Sequence, residues 1–220
     1  MTTMAAKILR KSLNWYAGLW PKRIPRPPYQ HIVQVGDPIL RLKCENVPLK
    51  SIKTEETKKV ISALKDVMAA YECVGLAAPQ IGISKRIFVM EMNDKRLKEF
   101  DLHAIEKCQM FAFPLIVFIN PTMKVIDTTK VSHVEACESV KGFCAEVPRY
   151  QEVQINGYNE EGSLVSIKFG GWPSRIAQHE MDHLDGKNFV DIMNKDTFAC
   201  HLWREVNLNA GKIKLPFYAC

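Results

Sequence analysis

Two histidines four residues apart have the spacing of a metal site. Residues 179–183 read HEMDH and match the pattern H-E-x-x-H. On a helix, positions i and i+4 lie on one face, so both imidazoles can bind the same ion. Glu180 then lies beside that ion, where its carboxylate can act as a general base toward water. The pattern predicts a divalent transition metal and a hydrolytic reaction.

A catalytic metal site of this kind needs a third protein ligand and one open position. Sequence spacing leaves five candidates for that ligand: Cys137, Cys144, His133, Glu205 and His201. The metzincin proteases have a third histidine six residues after the second, and this chain has Phe189 there. Glu205 as the ligand would indicate a metal-dependent endopeptidase. The residues alone leave this choice open.

The motif needs a helix, and its neighbours define one. Pro173 suits a first helical turn, and Gly186 is placed to end a helix that runs to about Leu184. Thr54 is a candidate N-cap for an earlier helix, whose apolar residues recur at helical spacing: Val60, Leu64, Val67, Met68 and Tyr71. A last helix is expected at about residues 197–207.

Runs of branched apolar residues predict a sheet. The expected strands are 86–92, 115–119, 123–126, 152–158 and 164–169. Residues 159–162 have the composition of a hairpin turn, which favours antiparallel pairing. Residues 74–83 contain two glycines and Pro79 and are expected to form an apolar loop, whereas 93–109 are a polar insertion of helical or irregular structure.

The composition excludes several classes of protein. The chain has 220 residues, of which 47% are hydrophobic, and this suits one globular domain with a sizeable core. No run of about eighteen apolar residues occurs, so no membrane span is predicted. The seven cysteines include no C-x-x-C pair, which argues against a disulfide framework and for a reducing compartment.

The net charge of +6 is concentrated at the N-terminus. Residues 1–36 contain six basic side chains and no acidic one, and the remainder has 24 of each sign, so specific nucleic-acid binding is not indicated. Residues 1–13 can form the basic amphipathic helix typical of a mitochondrial presequence, with a flexible basic tail as the alternative. Four prolines follow between residues 21 and 28. We therefore expect a presequence and linker over 1–30 and a catalytic domain over 31–220.

Three segments together resemble the motifs of the peptide deformylase family. Residues 74–80 (VGLAAPQ) resemble the first motif, 135–139 (EACES) the second and 179–183 (HEMDH) the third. Residues 36–41 resemble the usual opening of the family, so the likeness covers about residues 34–200. It implies an α+β fold in which antiparallel sheets wrap a central metal-binding helix, with an N-terminal and a C-terminal helix. The implied reaction removes the formyl group from formyl-methionine at the N-termini of nascent proteins made in the mitochondrial matrix.

The resemblance also implies roles for particular residues. Cys137, His179 and His183 would bind one divalent metal, with ferrous iron as the physiological ion and zinc, nickel or cobalt as alternatives in purified protein. Glu180 would be the general base, and the Gln80 side chain and the Glu138 backbone N–H would stabilise the oxyanion. Glu135 is expected to pair with Arg149. The expected substrate-binding residues are Gly75, Val74, Ala136, Trp172, Arg175 and Ile176.

Three positions depart from the family pattern. Cys73 and Ala136 stand where the family usually has glycine, and Glu138 stands where it usually has leucine, although Glu138 resembles the animal mitochondrial members. A negative charge beside an oxyanion donor opposes a developing anion, so lower or shifted activity is expected. A catalytically silent metal-binding or ribosome-associated module is therefore a second hypothesis, beside the endopeptidase. Partners implied for the enzyme are formyl-methionyl peptides and the mitochondrial ribosome.

Overall fold

The apolar residues after Thr54 form helix α1, Glu55–Ala70, in a computed structural model that describes residues 25–219. Thr54 is the N-cap residue, but its hydroxyl donates to the Ser51 carbonyl instead of capping the helix. The predicted face of α1 is buried as far as Met68, and Tyr71 lies at the C-cap. Most of the predicted presequence and linker lies outside the described residues.

An antiparallel sheet of six strands forms the centre of the molecule, as the hairpin composition predicted. The strands are β1 Gly75–Ala77, β2 Ile87–Met92, β3 Phe113–Ala136, β4 Phe143–Tyr158, β5 Leu164–Gly170 and β6 Ala199–Cys200. Their order in the sheet is β1-β2-β3-β4-β5, and β6 pairs with β4. Every pairing between these six strands is antiparallel.

The sheet is longer than the sequence predicted. The two expected strands at 115–119 and 123–126 are parts of one strand, β3, whose register shifts between Ile119 and Thr122 and twice more before Lys130. Much of β3 beyond Pro121 is exposed, so it lacks the apolar pattern on which the prediction relied. The loop prediction for 74–83 was wrong at residues 75–77, because pairing with β2 makes them a strand.

The metal-binding motif lies on helix α4, Gly171–Leu184, which packs on β1, β2, β4 and β5. Ten of its fourteen residues are buried, so the helix is surrounded by the rest of the fold. Gly186 adopts φ +73° directly after the Asp185 C-cap, a conformation that favours glycine and ends the helix as predicted. The α+β class and the central position of the helix that carries the H-E-x-x-H motif are therefore confirmed.

The insertion consists of two short helices, α2 Asp94–Leu97 and α3 Leu102–Cys108. Leu97 and Phe100 pack against the apolar cluster beneath α4, which ties the insertion to the core. The predicted C-terminal helix is shorter than expected: α5 spans Trp203–Leu208, because residues 195–200 form a 3-10 turn and then β6.

Two large apolar clusters hold these layers together. One joins α1 to β1, β2 and β3, and the other joins the opposite face of the sheet to α4. Within residues 25–219, no helix is long and apolar enough to cross a membrane. The cysteines in that range, at 44, 73, 108, 137, 144 and 200, are all free thiols.

Candidate metal centre and catalytic cleft

The structure brings a thiol and two imidazoles together between β3 and α4. Cys137 directly follows β3, and His179 and His183 lie one turn apart on α4. Their ligand atoms all lie within 4.8 Å of one another, and Cys137 Sγ is 3.3 Å from His183 Nε2. Because these atoms converge from one strand end and one helix face, the donors suit a tetrahedral ion with one open position.

A buried carboxylate orients one of the imidazoles. Glu135 Oε2 lies 3.0 Å from His179 Nδ1, which leaves Nε2 of that ring for a ligand. Arg149 donates to both Glu135 oxygens at 2.9 Å, and Arg175 donates to Oε1 at 2.7 Å. Burial raises the pKa of Glu135, but the hydrogen bonds from His179 and Arg149 outweigh it and lower the pKa well below its usual range. The expected Glu135–Arg149 pair is thus present.

Arg149 also connects the sheet to the metal-binding helix. Besides Glu135, it donates to Asp182 Oδ2 on α4 at 2.5 Å. Burial opposes the charge of Arg149, but its two carboxylate partners prevail and raise its pKa. The arginine therefore fixes α4 against β4 at the level of the histidines.

The pKa values of the two imidazoles are shifted in opposite directions. Burial opposes protonation of His179, but its contacts with Cys137 and Glu135 outweigh burial and raise its pKa. Burial, reinforced by His179 and Arg149, lowers the pKa of His183 well below its usual value. His183 is therefore neutral, which is the form in which imidazole binds a metal.

Glu180 lies on the same helix with almost no solvent exposure. Burial raises the pKa of its carboxyl to about 7, and its Oε2 atom has no hydrogen-bond partner among the described residues. Gly75 on β1 packs directly against it, since a Cβ at position 75 would lie 2.4 Å from Glu180 Oε1. The carboxylate fits only because position 75 has no side chain.

Gln80 points its amide nitrogen toward the same cluster. Its Oε1 accepts from the Ala77 N–H at 2.8 Å, which fixes the side chain. Its Nε2 lies 3.2 Å from Ser139 Oγ and 3.7 Å from Cys137 Sγ. Gln80 is thus both a loop amide bonded to nearby backbone and a donor aimed at the centre.

A cleft of about 240 Å³ opens beside these groups. All six residues expected to bind substrate line it, together with Gln80, Cys137, Glu138, His179 and Glu180. Five further residues line the cleft that were not predicted to do so from the sequence: Cys73, Leu76, Arg96, Phe100 and Val134. Arg96 and Phe100 come from the insertion, where no local pattern distinguishes a cleft residue from an ordinary surface or core residue.

The other candidates for the third ligand lie elsewhere. His133 Nδ1 is 3.6 Å from the Cys108 thiol, and Glu205 is exposed on α5. Cys144 pairs with Ala136 across β3 and β4, and His201 is exposed after β6. In the part of the chain that the structure describes, Cys137 is the residue that completes a group of three with the histidines.

An antiparallel α+β fold around an H-E-x-x-H helix, with a cysteine as third donor, defines a class of metal-dependent hydrolases. Residues 29–198 match the family model described as polypeptide deformylase, so the chain belongs to the peptide deformylase family. It is 42% identical over 183 residues to the mitochondrial peptide deformylase of Homo sapiens, covering 83% of this chain and 75% of the relative. It is 37% identical over 198 residues to the chloroplastic/mitochondrial peptide deformylase 1A of Arabidopsis thaliana, covering 90% and 73%.

Solved structures agree with this assignment. A class I type b peptide deformylase from Acinetobacter baumannii, crystallised with Met-Ala-Ser bound, matches with a TM-score of 0.65 and 27% identity over 74% of this chain and 96% of that one. The Thermotoga maritima enzyme matches with a TM-score of 0.62 and 30% identity over 76% and 98%.

The chain is therefore a peptide deformylase, a metal-dependent hydrolase of formyl-methionyl N-termini. A single metal is supported by the family and by the group of Cys137, His179 and His183. The comparisons support neither the endopeptidase nor the silent module.

Proposed function

We propose that this deformylase uses Cys137, His179 and His183 to hold its metal and Glu180 to move the proton. The observation that carries the proposal is the convergence of the three ligand atoms within 4.8 Å, with a buried, unpartnered carboxylate oxygen on the same helix. A bound divalent ion would take the place of the proton that His179 otherwise retains, and a thiolate and two neutral imidazoles would then reduce its charge to +1. When bound, the ion polarises the formyl carbonyl and acidifies water.

Glu180 has the environment of a general base and acid. With a pKa of about 7, its carboxylate can take a proton from the attacking water and return it to the departing amine. Both transfers require one carboxylate oxygen free of protein partners, which is how Oε2 is placed. Gly75 keeps the carboxylate in this position.

Two donors suit the oxyanion that forms when water adds to the formyl carbon. The Gln80 amide, fixed through Ala77, offers Nε2 at the centre, and the Glu138 backbone N–H lies on the turn directly after Cys137. One such donor is worth about 3 kcal/mol of transition-state stabilisation. Ser139 Oγ, 3.2 Å from Gln80 Nε2, supports the orientation of the amide.

The cleft walls suit a methionine side chain and the backbone that follows it. Val74, Trp172 and Ile176 give an apolar surface that Arg175 adjoins, and Gly75 and Ala136 belong to strands along which a peptide can extend. The Acinetobacter baumannii relative binds Met-Ala-Ser. We propose a formyl-methionyl peptide as the corresponding substrate here.

The physiological ion and the compartment belong to the same proposal. A donor set of one sulfur and two nitrogens suits Fe²⁺, and Zn²⁺, Ni²⁺ or Co²⁺ can replace it in purified protein. The human relative is named a mitochondrial enzyme, and residues 1–30 have the composition of a presequence and linker. We therefore place the enzyme in the mitochondrial matrix, where it would act on chains leaving the mitochondrial ribosome.

The test compares three variants of anaerobic, iron-loaded protein on formyl-Met-Ala-Ser. Cys137→Ser should lose most bound metal, and Glu180→Gln should keep the metal while kcat falls by at least about 10³-fold. Glu205→Gln, the matched control on α5, should change neither the metal content nor kcat. Metal loss in Glu205→Gln alone, or full turnover by Glu180→Gln, would contradict the proposal.

The compartment is tested separately. Residues 1–30 fused to a fluorescent protein should direct it into the mitochondrial matrix, and exchanging Lys7, Arg10 and Lys11 for glutamine should abolish this import. Cytosolic fluorescence of the unaltered fusion would contradict the localisation and leave the enzymatic proposal intact.

A further inference from the structure

Glu138 brings a carboxylate to the wall of the catalytic cleft. It follows Cys137 directly, begins the 3-10 turn Glu138–Val140 and lines the cleft beside Gln80. In the proposed reaction its backbone N–H faces the developing oxyanion, so an uncompensated charge on its side chain would oppose that step.

A lysine at the end of the same turn compensates this charge. Lys141 Nζ lies 2.5 Å from Glu138 Oε2, and the side chains of Lys141 and Glu138 are 24% and 27% exposed. The ion pair Lys58–Glu55 on α1 has the same i,i+3 spacing, but its side chains are 58% and 78% exposed. Because the pair at the cleft is less accessible to water, solvent screens it less.

The turn that carries this pair is held from outside by the N-terminal segment. Gln34 Nε2 donates to the Glu138 carbonyl at 2.8 Å, and the Lys141 N–H donates to Gln34 Oε1 at 3.4 Å. The Val35 N–H donates to the Ser139 carbonyl at 2.7 Å. The backbones of Glu138 and Lys141 are therefore held in place, and with them the Glu138 N–H that is proposed to stabilise the oxyanion.

An aromatic ring from the residue that caps the C-terminus of α1 lies near the lysine. Lys141 Nζ is 6.0 Å from the Tyr71 ring centroid, within the range in which an ammonium is attracted to a π face. The Tyr71 hydroxyl donates to the Phe217 carbonyl at 2.9 Å, which fixes the ring. The ammonium thus has both a carboxylate and an aromatic ring as neighbours.

We propose that Lys141 is a positioning residue for deformylation, which draws the Glu138 carboxylate away from the reacting centre and cancels its charge. The inference rests on the proposed oxyanion role of the Glu138 N–H. It explains how a deformylase tolerates an acidic side chain at this position, because the turn as a whole presents no net negative charge to the cleft.

The test is a double-mutant cycle on formyl-Met-Ala-Ser. Lys141→Met should lower kcat about tenfold with KM within about twofold, because the freed charge acts on the transition state. In the Glu138→Leu background the same substitution should change kcat by less than about twofold. Lys141→Arg should retain activity, and added salt should partly restore Lys141→Met by screening the carboxylate.

Controls separate the charge effect from a folding defect. Lys58→Met removes the exposed pair of equal spacing and should leave kcat unchanged. Metal content and melting temperature should stay at wild-type values in Lys141→Met. Affinity for a peptide hydroxamate, whose hydroxamate is an anionic metal-binding group, should fall about tenfold in Lys141→Met. It should not fall in the Glu138→Leu/Lys141→Met double variant.

Two results would overturn the inference. If Lys141→Met lowered kcat equally in the wild-type and Glu138→Leu backgrounds, Lys141 would act through the fold. If it lowered kcat in neither, the Glu138 charge would have no effect on the reaction. A wild-type protein without deformylase activity would refute the proposed function, and hydroxamate affinity would still decide the inference about Lys141.

Discussion

At the scale of single residues, Gly75 shows how closely the Glu180 carboxylate is packed. A Cβ on Gly75 would lie 2.4 Å from Glu180 Oε1 and 2.9 Å from Cδ, so Glu180 would have to move. We expect Gly75→Ala to lower kcat about 100-fold, because the carboxylate no longer meets the water, while metal content stays unchanged. Steady-state kinetics and metal analysis on the same sample test this.

Gly170 provides the matched control for that substitution. A Cβ at Gly170 meets no atom within 4 Å, and its φ of −115° suits alanine. Gly170→Ala should therefore retain wild-type kcat. Wild-type kcat in Gly75→Ala would show that Glu180 relaxes into another productive position.

Apart from Cys137, His179 and His183, Glu135 is the residue on which the proposed metal centre depends most. It accepts hydrogen bonds from His179, Arg149 and Arg175 while almost fully buried. Glu135→Gln should lower metal affinity by 10- to 100-fold and the free energy of unfolding by about 3 kcal/mol, since buried Arg175 loses its carboxylate partner and Arg149 keeps only Asp182. Chelator competition and urea unfolding measure the two effects.

Glu45 serves as the comparison for Glu135. It pairs with Lys85 on the surface at 2.9 Å, with a side chain 75% exposed. Glu45→Gln should change stability by less than about 1 kcal/mol and leave metal affinity intact. If Glu135→Gln behaved in the same way, the orienting role of Glu135 would be refuted.

The sequence could predict the residues whose types and spacing are themselves the signal. The two histidines and Glu180 follow from helical spacing, whereas Cys137 needed the family resemblance because a lone cysteine indicates no partner. Lys141 next to Glu138 could not be inferred, because their contact depends on a turn held by Gln34. Arg96 and Phe100 enter the cleft through tertiary packing alone.

At the scale of elements, patterns of burial decide what could be predicted. Helices α1 and α4 each have a buried face and clear end signals, and both were predicted within about two residues. Strand β3 extends through exposed residues after Pro121, and β4 begins nine residues before its predicted start. These extensions are stabilised by pairing with each other, which local composition does not reveal.

The insertion offers a prediction at the same scale. Phe100, between α2 and α3, packs against the apolar cluster under α4 and lines the cleft. Phe100→Ala should raise KM for formyl-Met-Ala-Ser about fivefold with kcat nearly unchanged, because uniform substrate binding is lost. Initial rates over a range of substrate concentrations test this.

Leu102 in the same insertion is the control, since it is 83% exposed at the start of α3. Leu102→Ala should leave both KM and kcat at wild-type values. An unchanged KM in Phe100→Ala would assign the insertion a role in folding only.

At the scale of the whole molecule, the proposed metal would join two parts of the fold. Cys137 follows the longest strand, and the histidines lie on the central helix. The two large apolar clusters contain none of these three residues, so their packing does not depend on the ion. Removing the ion with a chelator should therefore lower the melting temperature by several degrees while far-UV circular dichroism is retained.

Re-adding Fe²⁺ under anaerobic conditions should restore the melting temperature. The same treatment of Cys137→Ser, which lacks one donor, should have little effect and serves as the control. Loss of secondary structure on chelation would mean that the ion holds the fold as a whole.

The C-terminal segment has a practical consequence for anyone who produces this enzyme. Leu215 packs against Gly142, and the Phe217 carbonyl accepts from Tyr71, so the last described residues cross the turn beside the cleft. A purification tag or reporter joined to this segment would therefore begin close to the turn that carries Glu138 and Lys141. A fusion partner at this end therefore needs a linker long enough to leave that turn free.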